Sequence, residues 1–176
     1  MSEFKKITAK ELAQDPKALN VNPFELIGKA WGLFTAGSVS DYNTMTVSWG
    51  TMGIFWDGRP VVNCFVSPQR YTYEFIEKQE HFTLSFYIDS KYREMLAFCG
   101  SKSGRDVDKA KECGLTVMGF DGAAGFAEAD IVISAKKIYY YDLDQSNMLD
   151  PSIMNSYPAN DFHRCYFGEI KNIYTK

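Results

Sequence analysis

An alternating pattern between Asn43 and Thr51 limits the folds that this chain can adopt. Apolar side chains and hydroxyls take turns there, with Met45, Val47 and Trp49 set against Thr44, Thr46 and Ser48. A period of two is typical of a strand with one buried face, so we predict a half-buried strand. Its second face has hydroxyls and no charge, which suits contact with a flat polar ligand. Gly50 then allows a ligand or another backbone to come close.

A strand-to-helix junction is predicted from Ser67 to Glu74. An apolar run at 61–66 precedes it and a helical pattern follows it. The first N–H groups of a helix are unpaired and lie at the positive end of its dipole, so they attract anions. Arg70 adds donors that match phosphate oxygens, and Thr72 adds a hydroxyl. An ordinary helix cap with a surface arginine explains the residues equally well.

The length and charge of the chain exclude several classes of protein. Its 176 residues suit a single domain, 1–176, with its own core. The net charge of -3 argues against a nucleic-acid-binding protein, which usually carries a basic stripe. The first ten residues have no apolar run, and no segment is long enough for a membrane span. We therefore expect a cytoplasmic protein without a membrane partner, in which the four cysteines are reduced thiols.

Short strands and short helices alternate along the chain. The form of a capping box at Thr8–Glu11 and the Asn22-Pro23 pair predict two helix starts. Asp57-Gly58 predicts a hairpin turn. Strands are predicted at 30–36, 43–51, 61–66, 82–87 (half-buried), 131–144 and 166–174, and further helices at 90–100 and 106–113. This order favours a small barrel of mainly antiparallel strands.

Four motifs, in order, resemble the flavin reductase-like, FMN-binding split-barrel family, which includes the flavoredoxins. They are Asn43-x-Met45-Thr46-x-Ser48-Trp49-Gly50-Thr51, Pro68-x-Arg70-Tyr71-Thr72-x-Glu74, Ser103-Gly104-Arg105-Asp106-Val107-Asp108-Lys109 and Phe167-Gly168-Glu169-Ile170. The resemblance runs from about Pro23 to the end of the chain.

The resemblance implies a Greek-key split barrel that forms a homodimer with FMN at the subunit interface. It implies that residues 43–51, including Val47, line the flavin ring. It also implies that 67–72, which includes Ser67 and Tyr71, serves the phosphate end of FMN. The loop from Ser103 to Arg105 is expected to touch the phosphate, from its own subunit or from the other one.

No dedicated catalytic constellation is present in the sequence. The sequence has no His-Glu pair with metal-binding spacing, and it has no Gly-x-Gly-x-x-Gly dinucleotide fingerprint. FMN supplies hydride chemistry itself, so an enzyme is still expected. The leading hypothesis is an oxidoreductase that passes electrons from NADH or NADPH to a flavin or another acceptor. Two alternatives stay open: an FMN-binding electron carrier without a nicotinamide pocket, and a barrel that has lost FMN.

Individual side chains carry weaker predictions. His163 is read as a surface-turn histidine, with a group that orients the nicotinamide or the acceptor as the functional alternative. Trp49 is expected to pack on the inner face of its strand. The tyrosines at 139–141 are expected to alternate between the core and the dimer interface. Lys102, Arg105, Lys109 and Lys111 are read as a basic group that could be only a solvated face.

Overall fold

A computed structural model describes residues 3–176 of the chain. The strands are β1 (Lys5–Thr8), β2 (Gly32–Ser38), β3 (Asp41–Val47), β4 (Gly50–Phe55), β5 (Arg59–Val66), β6 (His81–Phe86), β7 (Val117–Phe120), β8 (Ala123–Phe126), β9 (Ile131–Asp142) and β10 (Arg164–Thr175). The α-helices are α1 (Ala9–Gln14), α2 (Tyr71–Lys78), α3 (Arg93–Ser101) and α4 (Lys109–Glu112). A π-helix spans Phe24–Ala30, and 3₁₀ turns span Pro16–Ala18, Ser90–Tyr92, Gln145–Asn147 and Pro151–Ser156.

The main sheet is antiparallel and is forced to curl by its own connectivity. Its strand order is β3-β2-β6-β9-β10-β5-β4, with β1 added beside β10. The edge strands β3 and β4 are joined by Ser48 and Trp49 alone, which bridge at most about 10 Å. Seven flat strands would be roughly 29 Å wide. The sheet therefore closes into a barrel that is split between β3 and β4, which confirms the predicted fold class.

Two apolar clusters lie on opposite sides of this sheet. The inner cluster fills the barrel and includes Phe34, Met45, Val47, Phe82 and Tyr166. The outer cluster, which includes Leu33, Leu96, Cys99, Phe126 and Val132, packs α3, α4 and the β7–β8 hairpin against β2, β6 and β9. Burial on both faces removes the polar face that a half-buried strand needs.

The prediction of a half-buried β6 is wrong for that reason. Thr83 and Ser85 are fully buried, and the Thr83 hydroxyl donates to the Ala124 carbonyl at 2.5 Å. The covering hairpin was not predicted, because β7 and β8 have four residues each and β8 is mostly alanine and glycine. A carboxylate at the hairpin turn, Asp121, holds it in place by accepting hydrogen bonds from Asn172 and Tyr174.

The segment predicted as one strand, 43–51, is divided in two. β3 ends at Val47 and β4 begins at Gly50, so the chain turns from one edge of the sheet to the other between them. The predicted strand at 30–36 begins two residues later, and β1 was not predicted at all.

The predicted helix starts are mostly found where expected. The capping box at Thr8 and Glu11 is present. Asn22 accepts a hydrogen bond from the Phe24 amide, but the helix that follows has π geometry. Among residues 3–176, none of the helices is both long enough and apolar enough to cross a membrane.

Candidate flavin site at the split of the barrel

Two connected cavities follow β3 along the split. The inner cavity, about 100 Å³, lies between β3, the start of α2, the end of α3 and the loop at 101–104. The outer cavity, about 250 Å³, is lined by residues 45–49 together with Phe65 and His163. Met45 and Arg70 line both cavities. The two spaces therefore adjoin, and we call them together the groove: its inner end lies among the helices and its outer end at the split.

Lys109 is the buried cation of the inner cavity. Its residue is only 6% exposed, and its ammonium donates to the carbonyls of Thr44 at 2.8 Å and Cys99 at 2.7 Å. Within residues 3–176 no carboxylate forms an ion pair with it. Burial lowers the pKa of Lys109, with the neighbouring charge of Arg70 as a smaller cause in the same direction. A buried ammonium with one proton left to donate and no counter-ion favours an anion in the cavity.

Arg70 stands at the start of α2, as the sequence predicted. It is the residue immediately before the helix, and its guanidinium donates to the Gly100 carbonyl at 3.2 Å. This bond leaves most of its donors available at the junction of the two cavities. With Lys109 it gives the groove two positive charges close to one helix start.

A hydrogen-bonded pair fixes the start of α2 to β3. The Asn43 amide donates to the Thr72 hydroxyl at 2.6 Å, and both residues are buried. The Thr72 oxygen is an acceptor there, so its proton remains available. Gly104 lies against this pair, and a Cβ at that position would be 1.8 Å from the Asn43 side-chain oxygen. Only glycine allows the 103–104 loop to approach β3 so closely.

The predicted row of ligand-facing hydroxyls is wrong in its first member, Thr44, while ligand contact by Thr46, which lines the outer cavity, stays a prediction. Thr44 is buried and shares a 2.8 Å hydrogen bond with Thr35 inside the sheet. The Thr46 hydroxyl donates to the Leu96 carbonyl of α3 at 2.5 Å. Thr44 is therefore satisfied within the sheet, and the Thr46 proton is used by α3 while its oxygen can still accept. Met45 and Val47 lie in the inner cluster as predicted, and Ser48 lines the outer cavity.

Trp49 and His163 form an aromatic wall of the outer cavity. Their ring centroids are 5.1 Å apart, and Tyr157 stands 5.5 Å from His163. Trp49 is 47% exposed, so its predicted position on the inner face is wrong. It sits where the chain leaves the sheet, and the strand alternation no longer applies.

His163 is half-buried, and its Nδ1 is buried without a hydrogen-bond partner in the described part of the chain. Burial lowers the pKa of His163; the charge of Arg70 lowers it further, while Asp161 acts in the opposite direction. The imidazole is therefore neutral at pH 7 and can both donate and accept a hydrogen bond. It is not the simple surface-turn histidine of the first interpretation.

The family model described as "Flavin reductase like domain" matches residues 26–175. The chain belongs to this family. No curated protein sequence matches it.

Solved structures share the fold of this flavin reductase-like domain at low identity. The flavoredoxin of Desulfovibrio vulgaris (Miyazaki F) is 21% identical with a TM-score of 0.62, over 83% of this chain and 69% of that one. An FMN-binding domain of a flavin reductase-like enzyme from Shewanella baltica is 17% identical with a TM-score of 0.64, over 99% and 79%. An FMN-binding protein from Thermus thermophilus with bound 1-cyclohex-2-enone is 18% identical with a TM-score of 0.64, over 83% and 70%.

The other predicted site residues of the flavin reductase-like domain divide between the groove and its surroundings. Tyr71 and Ser103 line the inner cavity. Arg105 lines neither cavity: its guanidinium is paired with Glu74 and stacks 4.5 Å from the Tyr71 ring. Four more predicted residues, Gly50, Thr51, Ser67 and Pro68, also lie outside both cavities.

Two of these residues, Gly50 and Thr51, contact Asn63 on the neighbouring strand β5. The Thr51 hydroxyl accepts a hydrogen bond from the Asn63 amide at 3.0 Å. A Cβ at Gly50 would lie 2.8 Å from the Asn63 carbonyl, so the neighbouring backbone is what approaches this glycine.

Lys109 is the main groove residue that sequence reasoning assigned to no role. It was read with Lys102, Arg105 and Lys111 as part of a basic group that could be only a solvated face. Its position directly after the helix-capping Asp108 was visible in the sequence. Its burial was not, because it results from α4 packing on the outer cluster.

Proposed function

We propose that this domain is an FMN-dependent oxidoreductase that takes electrons from NADH or NADPH and passes them to a flavin or a downstream acceptor. The observation that carries the proposal is the asymmetry of the groove. Its closed end holds a buried ammonium that pairs with no carboxylate among residues 3–176, and its open end has an aromatic wall and a neutral histidine. FMN has the matching asymmetry of a phosphate at one end and a flat ring at the other.

The phosphate would be held in the inner cavity. Lys109 would supply a positive charge and one N–H donor, and Arg70 would supply a planar pair of N–H donors. The Thr72 hydroxyl, whose oxygen accepts from Asn43, keeps its proton to donate to a ligand. Ser103 lines the same space. These groups are all donors, as a phosphate requires.

The flavin ring would lie in the outer cavity along residues 45–49. The side-chain hydroxyl of Thr46 is used by α3, so the chain would offer this ring its main chain and Ser48. FMN, when bound, supplies the acceptance and release of a hydride equivalent. The chain's own part is to hold the ring, to leave one side open at the split, and to place His163 beside it as a neutral hydrogen-bonding group.

A homodimer is part of the proposal. Five aromatic side chains form a partly exposed cluster on β4, the β4–β5 turn, β9 and β10: Phe55, Trp56, Tyr139, Tyr141 and Phe167. None of the tyrosines at 139–141 is in the core, contrary to the expected alternation. An exposed aromatic patch of this kind supports a covering subunit.

A non-catalytic FMN carrier is the second candidate. The 47% exposure of Trp49 favours it, because a wall that is open to solvent holds a second flat ring less firmly than an enclosed one. Both candidates share the same FMN site, and they differ only in whether a nicotinamide can reach the ring.

The absorbance spectrum of the purified protein, before and after NADH or NADPH under anaerobic conditions, tests the proposal. A yellow protein that bleaches on addition of either nucleotide is the expected result. A yellow protein that dithionite bleaches and neither nucleotide does would identify the carrier. A colourless protein that takes up no added FMN would overturn both candidates.

A further inference from the structure

Two cysteines meet beside the inner cavity. The sulfurs of Cys99, near the end of α3, and Cys113, directly after α4, are 3.9 Å apart. Both are free thiols; Cys99 is fully buried and lines the inner cavity, whereas Cys113 is partly exposed. Sulfurs at this distance touch without bonding, since a disulfide bond is about 2.0 Å long.

The main chains of both cysteines are hydrogen-bonded to Lys109. Lys109 donates to the Cys99 carbonyl at 2.7 Å, and the Cys113 amide donates to the Lys109 carbonyl at 3.1 Å. Cys99 is therefore bonded to the side chain of Lys109 and Cys113 to its main chain. A movement of either sulfur toward the other acts on the residue that supplies the cavity with its buried charge.

The Cys113 side of the pair can make the movement. α4 is a single turn that ends at Glu112, and Gly114, directly after Cys113, has a φ of 65°. A short helix end next to a glycine adjusts at less cost than the longer helix α3, in which Cys99 is fully buried in the outer cluster. The sulfurs need to approach by roughly 2 Å to bond.

We propose that Cys99 and Cys113 form a reversible disulfide by exchange with a small-molecule disulfide, and that closing it weakens phosphate binding in the inner cavity. The second half rests on the proposed FMN site. The first half does not, because the thiol chemistry is independent of any flavin.

The exchange has two steps. The Cys113 thiolate attacks one sulfur of oxidised glutathione, and one glutathione thiolate leaves. The Cys99 sulfur then attacks the Cys113 sulfur of the mixed disulfide, and the second glutathione thiolate leaves. Two protein thiols are oxidised, one glutathione disulfide is reduced to two thiols, and the two protons lost by the protein are taken up by the departing thiolates.

Burial of the two thiols slows this exchange. It raises the pKa of Cys99 to about 12 and also raises the pKa of Cys113, with Glu112 adding to the rise and Lys109 opposing it. Because the thiolate is the attacking species, the reaction is slow at pH 7 and accelerates as the pH is raised. The partly exposed Cys113 is the point of entry.

The remaining two cysteines give a matched control. Cys64 on β5 and Cys165 on β10 lie on neighbouring strands, and each is only 1% exposed. Neither has an exposed sulfur with which an exchange could begin.

The experiment exposes the purified chain to oxidised glutathione at pH 8 and follows its intact mass and its disulfide-mapped peptides. The expected product lacks two hydrogen atoms and links Cys99 to Cys113. The double variant Cys64→Ser, Cys165→Ser gives the same product, and Cys113→Ser does not. No reaction, a stable glutathione adduct on Cys113, or a link through Cys64 overturns the thiol pair.

Affinity measurements on the same samples test the second half. The oxidised protein should bind FMN about fivefold more weakly, the equivalent of one misaligned hydrogen bond, with riboflavin unchanged. Dithiothreitol should restore the FMN affinity. A mapped disulfide with unchanged FMN affinity overturns the coupling, whereas a reduced protein that never binds FMN contradicts the proposed function and leaves the thiol result standing.

Discussion

The two ends of the groove are built in different ways. The inner cavity is enclosed by β3, two helices and a loop, and its three main donors are already held in place: Lys109 by two carbonyls, Arg70 by one and Thr72 by Asn43. The outer cavity has the exposed ring of Trp49 beside the half-buried His163 in its wall and lies open at the split. A single chain therefore completes the charged end of the groove and leaves the aromatic end unfinished.

This contrast separates affinity from reactivity. A preformed set of donors binds an anion without reorganising, so the inner end should decide how tightly FMN is held. The open end should decide what else reaches the ring. Four variants test that division.

The largest effect is expected for Lys109→Met. The change keeps the length of the side chain and removes a buried charge, so FMN binding should weaken by about 3 kcal/mol, the upper range for hydrogen bonds to charged groups. Riboflavin, which lacks the phosphate, should lose far less. Lys111→Met on the exposed side of the same helix is the control and should bind FMN as the wild type does. Equal losses for both flavins would place the phosphate elsewhere.

Arg70→Ala should rank second. Arg70 is exposed and is already bonded to the Gly100 carbonyl, so we expect a loss of about 1.5–2 kcal/mol for FMN and little for riboflavin. Arg70→Lys should recover part of the loss, because an ammonium keeps the charge and lacks the fork. Arg105→Ala, which removes a guanidinium engaged by Glu74, serves as the comparison. Isothermal titration of both flavins would show whether Arg105 matters more than Arg70.

Thr46→Val examines the boundary between the two ends. Its hydroxyl is bonded to the Leu96 carbonyl, so the cost should appear as about 1 kcal/mol in the free energy of unfolding. FMN affinity should change by no more than about twofold. Urea denaturation and FMN titration measure the two quantities. A large loss of FMN affinity with unchanged stability would mean that this hydroxyl contacts the flavin.

The smallest effect is expected at the open end, for His163→Phe. The pKa of His163 is lower in the folded chain than in the unfolded one, so the unfolded state binds more protons and stability falls as the pH is lowered through about 6.5. The melting temperature of the wild type should fall further between pH 7 and pH 5 than that of His163→Phe, by about 2 °C. Parallel curves would mean that burial does not disfavour the charged imidazole.

How far the sequence could predict the molecule depended on the range of the interactions involved. The α2 start at Arg70 and the capping box at Thr8 follow from neighbours in sequence, and both are found. The hydroxyl of Thr46 and the ammonium of Lys109 acquire their partners from segments at least ten residues away. Alternation predicts which side of a strand a residue occupies, but it cannot predict that a helix will cover the polar side.

The connection between β3 and β4 also limits how wide the barrel can open. Ser48 and Trp49 are all that lies between the two edge strands, so the number of residues there sets how far apart those edges can stand. Each added residue would let the gap grow by up to about 3.5 Å. The length of this connection therefore limits the thickness of a ligand that fits between the two edge strands. Relatives with a longer or shorter connection should accept thicker or thinner ligands.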